Sequence, residues 1–198
     1  MEELAEIWAQ RKARVWVDLE SPTEEAVRAL DRIINVDDEC LDDCLWGEQH
    51  PRIDEYEGYF FLVLYGARGE EDAHEFHPRK LAIFCGSRFL ITIHRETLHT
   101  ISQIRERCVK QPELVLGKGT DFLLYAIIDQ MVDNYEHYTE KLEDRLEDLE
   151  TESLDPRATS SLLEKASEFR GELSHLRRLV SSKRELLLPL AKGLYDNI

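Results

Sequence analysis

The chain has 198 residues, enough to bury a sizeable core, and its hydrophobic content of 42% is ordinary for a folded protein. Lysine and arginine number 25 against 41 aspartates and glutamates, so the formal net charge is −16. This charge repels the phosphates of nucleic acids and anionic lipids, which argues against a nucleic-acid partner, and it favours hard cations that prefer oxygen ligands, such as Mg²⁺ and Ca²⁺.

Neither a membrane span nor a secretory signal is predicted. The longest apolar run, residues 59–67, is far shorter than the roughly 18–20 residues that cross a bilayer. The opening phrase MEELAEIWAQRKARVWVD lacks the basic start, apolar centre and cleavage site of a signal peptide. Cys40 and Cys44 fit two half-buried thiols better than a soft-metal site, because no second cysteine pair accompanies them. We therefore expect a cytoplasmic chain.

The N-terminal part predicts a strand followed by two short helices. Residues 14–19, RVWVDL, alternate apolar and polar side chains as a half-buried strand does. The phrase Ser21-Pro22-Thr23-Glu24 predicts a capping box that starts a helix with proline at its first position, and the apolar stripe of that helix ends near residue 35. Asp37 or Asp38 can cap a second helix that ends at Gly47.

Four more strands and a helix complete the first half of the chain. The strands are predicted at residues 52–57, 59–68, 79–85 and 88–94, the last two forming a hairpin around Gly86-Ser87. A helix at residues 97–109 follows, and then a loop at residues 112–119. About five strands flanked by helices predict an α/β fold with a layered sheet.

The C-terminal part predicts two long helices. The first covers residues 120–154 and carries an apolar stripe at steps of three and four beside a strongly acidic face. Asp155-Pro156 turns the chain, and the second helix has its own apolar stripe with a more basic surface. The two should form an antiparallel hairpin whose opposite charges meet across the seam. We expect one α/β unit at residues 1–119 and this hairpin at residues 120–198.

Four phrases of the chain resemble the CorA family of divalent metal ion transport proteins, in the order and approximate spacing of that family. They are WVDL, ECLDDCL with HPRIDEYEGYFFLVL, RFLITIHRETL, and TDFLLYAIIDQMVDNYEHYTEKLEDRLEDLE. The resemblance implies the α/β/α funnel domain on the cytoplasmic side of the cell membrane, with an acidic helical hairpin projecting from it. It also implies a homopentameric parent that is anchored by two C-terminal membrane helices, the first of which ends in a Gly-Met-Asn pore motif.

The chain itself contains no Gly-Met-Asn and no spanning segment, so we expect that it does not conduct ions alone. The resemblance implies a metal-sensing, regulatory domain of a Mg²⁺ channel, with Co²⁺ and Ni²⁺ as related ions. A domain of a zinc-transporting relative is an alternative, and so is a stand-alone interaction module that kept the fold and lost transport. No phosphate-binding loop, nucleophile elbow or His-Glu-x-x-His motif indicates an enzyme.

Three acidic residues are candidate metal ligands. By resemblance, Asp42 and Asp43 match the family's metal-sensing pair, and Asp129 matches an acidic residue of its second sensing site. Adjacent carboxylates repel each other, and a hydrated Mg²⁺ bound through few direct ligands relieves that repulsion. The sensing partners would come from a neighbouring subunit, so the binding should be weak. The simpler interpretations are a solvated helix face for the pair and an internally satisfied side chain for Asp129.

Two histidines offer a second candidate site. His74 and His77 in the phrase AHEFHPRK could hold Zn²⁺, although two histidines in an acidic loop more often bind nothing. His94, His137 and His175 are interpreted as packing or surface residues.

Overall fold

The computed structural model describes residues 13–46, 50–67, 78–155 and 160–191. It contains five strands, six α-helices and a short 3₁₀ turn at Pro112–Leu114 within these ranges. The strands are β1 (Val15–Glu20), β2 (Arg52–Tyr56), β3 (Tyr59–Ala67), β4 (Pro78–Gly86) and β5 (Phe89–His94). The helices are α1 (Glu24–Arg28), α2 (Asp31–Ile34), α3 (Asp38–Leu45), α4 (His99–Lys110), α5 (Thr120–Ser153) and α6 (Ser160–Ala191).

The five strands form one mixed sheet in the order β1-β5-β4-β3-β2. Strand β1 pairs with β5 in parallel, from Val15 opposite Phe89 to Glu20 opposite His94, and the other three pairings are antiparallel. The turn between β2 and β3 contains Gly58 at φ 87°, a backbone conformation that a residue with a Cβ rarely adopts. A parallel pair needs a long connection, and here the chain from β1 to β5 passes through α1–α3 and three strands.

Helices cover both faces of the sheet, which confirms the predicted α/β/α layering. One face packs against α1 and α3 through a cluster that includes Phe61, Val63, Phe84 and Ile91. The other face packs against α4 and α5 through strand residues such as Phe60 and Leu62 and the following helical side chains: Leu98, just before α4, Ile101, Ile104, Leu123, Ile127 and Met131. The alternation of side chains along β3 assigns neighbouring residues to opposite layers.

The helix predicted to run to residue 35 is two short helices in the structure. Its N-cap is Thr23, whose hydroxyl accepts a hydrogen bond from Ala26 N at 3.2 Å, so the predicted capping box with Ser21 as the cap is wrong in register. Ser21 instead extends the strand pairing, because its backbone N–H donates to the carbonyl of His94 at 2.8 Å. Asn35 then ends α2 in the left-handed conformation.

The two long helices are antiparallel. Tyr135 and Leu142 of α5 form a small buried cluster with Phe169 and Leu176 of α6. The pairs Arg145–Glu172 and Glu152–Lys165 run in opposite order along the two helices. The N-terminal half of α5 belongs to the core under the sheet, so this helix joins the sheet to the hairpin. The division of the chain at residue 119 stays a prediction. Among the helices that the structure describes, none combines the length and the apolar character needed to cross a bilayer.

Ion pairs cross the hairpin in both directions. Lys165 of α6 binds Glu152 of α5 at 2.8 Å, as the opposite charges of the two arms predict. Arg145 of α5 binds Glu172 of α6 at 2.5 Å, which reverses the predicted polarity. The exposed ion pair between Lys165 and Glu152 contributes only about 0–1 kcal/mol. The apolar cluster therefore provides most of the stabilisation between the two helices, and the charges help to define their register.

A polar network joins the two parallel strands inside the structure. His94 is buried, with Nε2 3.1 Å from Asp18 Oδ1 and Nδ1 2.8 Å from the carbonyl of Glu96. Thr92 donates to the same Asp18 oxygen at 2.7 Å and accepts from Trp16 Nε1 at 3.0 Å. Because both imidazole nitrogens face acceptors, the geometry favours the doubly protonated imidazolium.

These contacts raise the pKa of His94 and lower that of Asp18. Burial alone would lower the pKa of His94, but the hydrogen bond with Asp18 and that with the Glu96 carbonyl raise it above its ordinary 6.5. Burial alone would raise the pKa of Asp18, but the hydrogen bonds from His94 and Thr92 lower it below its ordinary 3.8. The charged pair is therefore more stable in the folded chain than in the unfolded one.

The core arrangement predicts the effect of two leucine truncations. Leu62 is 1% exposed on β3, so Leu62→Ala should lower the free energy of unfolding by about 2–5 kcal/mol through lost burial and a cavity. Leu163 on α6 is 75% exposed, and Leu163→Ala should change it by less than about 0.5 kcal/mol. Urea unfolding of both variants measures the difference, and equal effects would contradict the assignment of the core to the sheet.

The network predicts a pH dependence of stability. The contribution from His94 is fully present below pH 6.5 and is lost as pH rises through the higher folded pKa, whereas that from Asp18 is present above pH 3.8 and is lost as pH falls through the lower folded pKa. In the wild type, the urea midpoint should therefore decrease as the pH rises through the folded pKa of His94. In His94→Gln, this decrease should be smaller. His175→Gln, at an exposed position of α6, is the control and should keep the wild-type profile.

Candidate metal-binding site

Helix α3 carries two of the three predicted metal ligands on different sides. Asp37 caps the helix by accepting a hydrogen bond from Glu39 N at 2.9 Å, and Leu41, Cys44 and Leu45 are among its buried residues against the sheet. Successive residues on a helix are rotated by about 100°, so these apolar anchors fix where the neighbouring carboxylates lie.

Asp43 lies at the edge of the buried face and is 7% exposed. Its carboxylate is in a short ion pair with the guanidinium of Arg52 on β2, and Lys80 on β4 donates to its backbone carbonyl at 2.6 Å. Arg52 also lies 2.7 Å from Asp54 and 5.6 Å from the ring centroid of Phe61. Arginine therefore already neutralises the Asp43 carboxylate.

Burial of Arg52 opposes its charge, but the carboxylates of Asp43 and Asp54 outweigh that effect and raise the pKa of its guanidinium. The guanidinium stays charged at every physiological pH. A divalent cation that binds Asp43 directly must therefore displace this arginine or share the carboxylate with it.

Asp42 faces solvent, and its side chain is 56% exposed. It binds Arg28 of α1 at 2.9 Å, and Arg28 also binds Glu24 one turn earlier at 2.9 Å. The two carboxylates raise the pKa of Arg28, led by the hydrogen bond to Glu24. Because solvent screens this exposed cluster, a divalent ion can compete with Arg28 for Asp42 more easily than with Arg52 for Asp43.

Asp129 lies in a different layer of the molecule. It is exposed on α5, which covers the opposite face of the sheet from α3, and it accepts a hydrogen bond from Tyr125 at 3.2 Å. The Asp129 charge raises the pKa of that phenol. The structure therefore does not bring Asp129 together with Asp42 and Asp43 within one chain.

The carboxylates of the described residues fit a divalent ion only in part. In these parts of the chain no three histidine, cysteine or acidic side chains come together as a group that could hold a metal. The exposed carboxylates of Asp42 and Asp129 suit an ion that keeps most of its water shell. Asp43 does not suit direct ligation while Arg52 holds it. The roles of all three stay predictions.

The histidines and cysteines considered as metal ligands do not form a site in the described residues. His74 and His77 lie outside the described residues. Burial raises the pKa of Cys40 to about 11 and that of Cys44 further, so both thiols are protonated and are poor ligands for a soft metal.

Two basic residues that pair with the candidate ligands, Arg28 and Arg52, were not predicted from the sequence. Arg28 pairs with Glu24 at a spacing of four, which the sequence displays. Arg52 joins α3 only through the folded sheet, and no local spacing predicts that pair. The contact of His94 with Asp18 likewise depends on the parallel pairing of β1 and β5.

Comparison with known proteins places these features in a family. The CorA-like Mg²⁺ transporter protein family matches residues 11–197. YfjQ, a candidate metal ion transporter of Bacillus subtilis, is 32% identical over 172 residues, which are 87% of this chain and 52% of that protein. The cobalt/magnesium transport protein CorA of Methanocaldococcus jannaschii is 26% identical over 179 residues, 90% of this chain and 55% of that protein.

A solved structure shows the same fold. The soluble domain of CorA from Methanocaldococcus jannaschii superposes with a TM-score of 0.76 at 25% identity, over 89% of this chain and 70% of that chain. The chain spans about half the length of the two curated relatives above. Because the family match covers nearly all of the sequence, the chain belongs to the CorA-like Mg²⁺ transporter protein family.

Proposed function

We propose that the chain is the metal-sensing domain of a CorA-family divalent cation transporter, on the cytoplasmic side of the cell membrane. The observation that carries the proposal is the arrangement on α3, where adjacent carboxylates at the family-matching positions are held by two separate arginines. The regulated ion would be Mg²⁺, with Co²⁺, Ni²⁺ and Zn²⁺ as competitors to be tested. The parent would be a homopentamer with membrane-spanning helices.

The arginines give the proposed sensor its resting state. Without a divalent ion, Arg28 and Arg52 neutralise Asp42 and Asp43 and remove their mutual repulsion. A hydrated cation competes first for the exposed Asp42, and a carboxylate from a neighbouring copy would complete the site. The cation then favours whichever arrangement of copies brings those carboxylates together.

Asp129 fits the same scheme from the other layer. As an exposed carboxylate on α5, it would face a different neighbouring surface from the one that Asp42 faces. Each site then consists of one or two carboxylates from one chain and the remainder from the next. Such incomplete oxygen sites suit dissociation constants of about 10⁻⁴ to 10⁻³ M or weaker in a single chain.

The proposal predicts a change in how Mg²⁺ regulates transport in the full-length protein. Asp43→Asn removes one negative charge at nearly constant size, so closure by Mg²⁺ should require more metal. Glu147→Gln makes the same charge change at an exposed position of α5 and should leave the inhibition curve almost unaltered. The measurement is Mg²⁺ inhibition of ion flux in both variants. Equal shifts in the two variants would show that only general surface charge matters.

The proposal also predicts an effect of the arginine that holds Asp43. Arg52→Met leaves that buried carboxylate without its partner, so the variant should be less stable in metal-free buffer. Added Mg²⁺ should raise its Tm by more than it raises the wild-type Tm, since the carboxylate becomes available and binding stabilises the folded state.

Arg145→Met is the matched control, because it breaks an arginine–carboxylate pair in the hairpin, away from the site. Its Tm should respond to Mg²⁺ as the wild type does. If neither arginine variant nor the wild type responds to Mg²⁺, Co²⁺, Ni²⁺ or Zn²⁺, the sensing role fails, and the interaction-module alternative gains support.

A further inference from the structure

A cavity of about 340 Å³ lies at the C-terminal end of α3, outside the carboxylates described above. Its wall comes from the end of α3, the start of β4 and the residues that end and follow β5. Three basic side chains line it, Arg79, Lys80 and Arg95, together with Glu96 and the indole of Trp46. His94 also lines the cavity, but Asp18 balances its charge. The other three cations outnumber the one carboxylate, which is the reverse of the balance in a chain with a net charge of −16.

Hydrogen bonds to the end of α3 hold two of these cations in place. Lys80 Nζ donates to the carbonyls of Asp43 at 2.6 Å and Trp46 at 3.4 Å, and Arg95 donates to the carbonyl of Leu45. The last carbonyls of a helix lack intrahelical partners, so both side chains act as C-terminal caps. The capping contacts fix the positions of the two cations beside the cavity.

Arg79 is fixed differently. Its Nε lies 2.6 Å from Glu96 Oε2, and it makes none of the described capping contacts. A guanidinium has five N–H donors, and a multidentate anion can use several of them at once. Arg79 is therefore the cation whose removal disturbs α3 least.

Repulsion among these cations makes the cavity receptive to an anion. Hydrogen bonds to α3 hold Lys80 and Arg95 on the cavity wall that also carries Arg79, and Glu96 supplies one carboxylate to that wall. An anion between the three basic side chains would offset their mutual repulsion.

The aromatic wall and the volume limit the kind of anion. Trp46 is 57% exposed, with the guanidinium of Arg95 5.6 Å from its ring centroid. The volume of about 340 Å³ is larger than an inorganic ion needs and lies at the lower end of the roughly 300–1,000 Å³ range of small-molecule sites. An anionic group on a small organic body fits both features.

We propose that this cavity binds a small phosphate-bearing molecule, with its phosphate oxygens between Arg79, Lys80 and Arg95 and its organic part near Trp46. The site takes a ligand of opposite charge to the cation proposed for Asp42 and Asp43. It does not depend on the sensing function, because its residues and its ligand class are different.

The test is a binding titration of the chain in metal-free buffer at constant ionic strength. The probes are inorganic phosphate, pyrophosphate and ADP, with citrate as a carboxylate of comparable charge. Calorimetry gives the affinity, and quenching of tryptophan fluorescence that disappears in Trp46→Phe places the ligand at the cavity. A higher affinity for ADP than for inorganic phosphate identifies the ligand as an organic phosphate. Equal affinities for the two identify it as the free ion. Citrate binding as tightly as any phosphate overturns the proposal.

Charge variants test the position of the site in both directions. Arg79→Gln should weaken phosphate binding by about tenfold, and Glu96→Gln should tighten it by about threefold, because they remove opposite charges from the same wall. Lys110→Gln, an exposed position on α4, is the control for net charge and should bind as the wild type does. These variants leave the capping residues of α3 intact. Equal affinities in all three variants, or no binding by the wild type, would overturn the proposal.

Discussion

Strands β3, β4 and β5 are buried on both faces along most of their length, and the rest of the molecule follows from that burial. A sheet that is apolar on both sides must be covered twice. Helices α1 and α3 supply one cover, and α4 with the first half of α5 supplies the other. The same constraint puts Asp42 and Asp43 in one layer and Asp129 in the other, so no ion can bridge them within a single chain.

The architecture was predictable from the sequence wherever the spacing of apolar residues indicates which side chains are buried. All five strands and the first long helix lie within a few residues of their predicted bounds, and the second long helix follows the turn as expected. Alternating or continuous apolar runs and a stripe at steps of three and four are local signals. The position at which the first helix begins, with Thr23 as its N-cap, was not predictable in this way. Ser21 has a good capping side chain, but the partner that engages its backbone is His94, on a strand that is distant in sequence.

The candidate site was predictable only in part, for a related reason. The resemblance named Asp42, Asp43 and Asp129, but the charge state of their surroundings depends on long-range partners. Arg52 reaches Asp43 because β2 lies beside the end of α3, and Asp18 reaches His94 because two strands run in parallel. Asp42 and Asp43, which the sequence shows only as part of a surplus of carboxylates, are each paired with an arginine in the fold. Their availability to a metal is therefore a competition with arginine.

Helix α3 is the element on which these competitions converge. Arg28 and Arg52 bind its carboxylates, while Lys80 and Arg95 bind its last carbonyls, so four of the 25 basic residues of the chain act on a helix of eight residues. Asp43 is shared, with its side chain on Arg52 and its backbone on Lys80. A cation that releases Arg52 and an anion that draws on Lys80 would therefore act on the same residue. If both proposed ligands bind, linkage requires that each change the affinity for the other by the same factor.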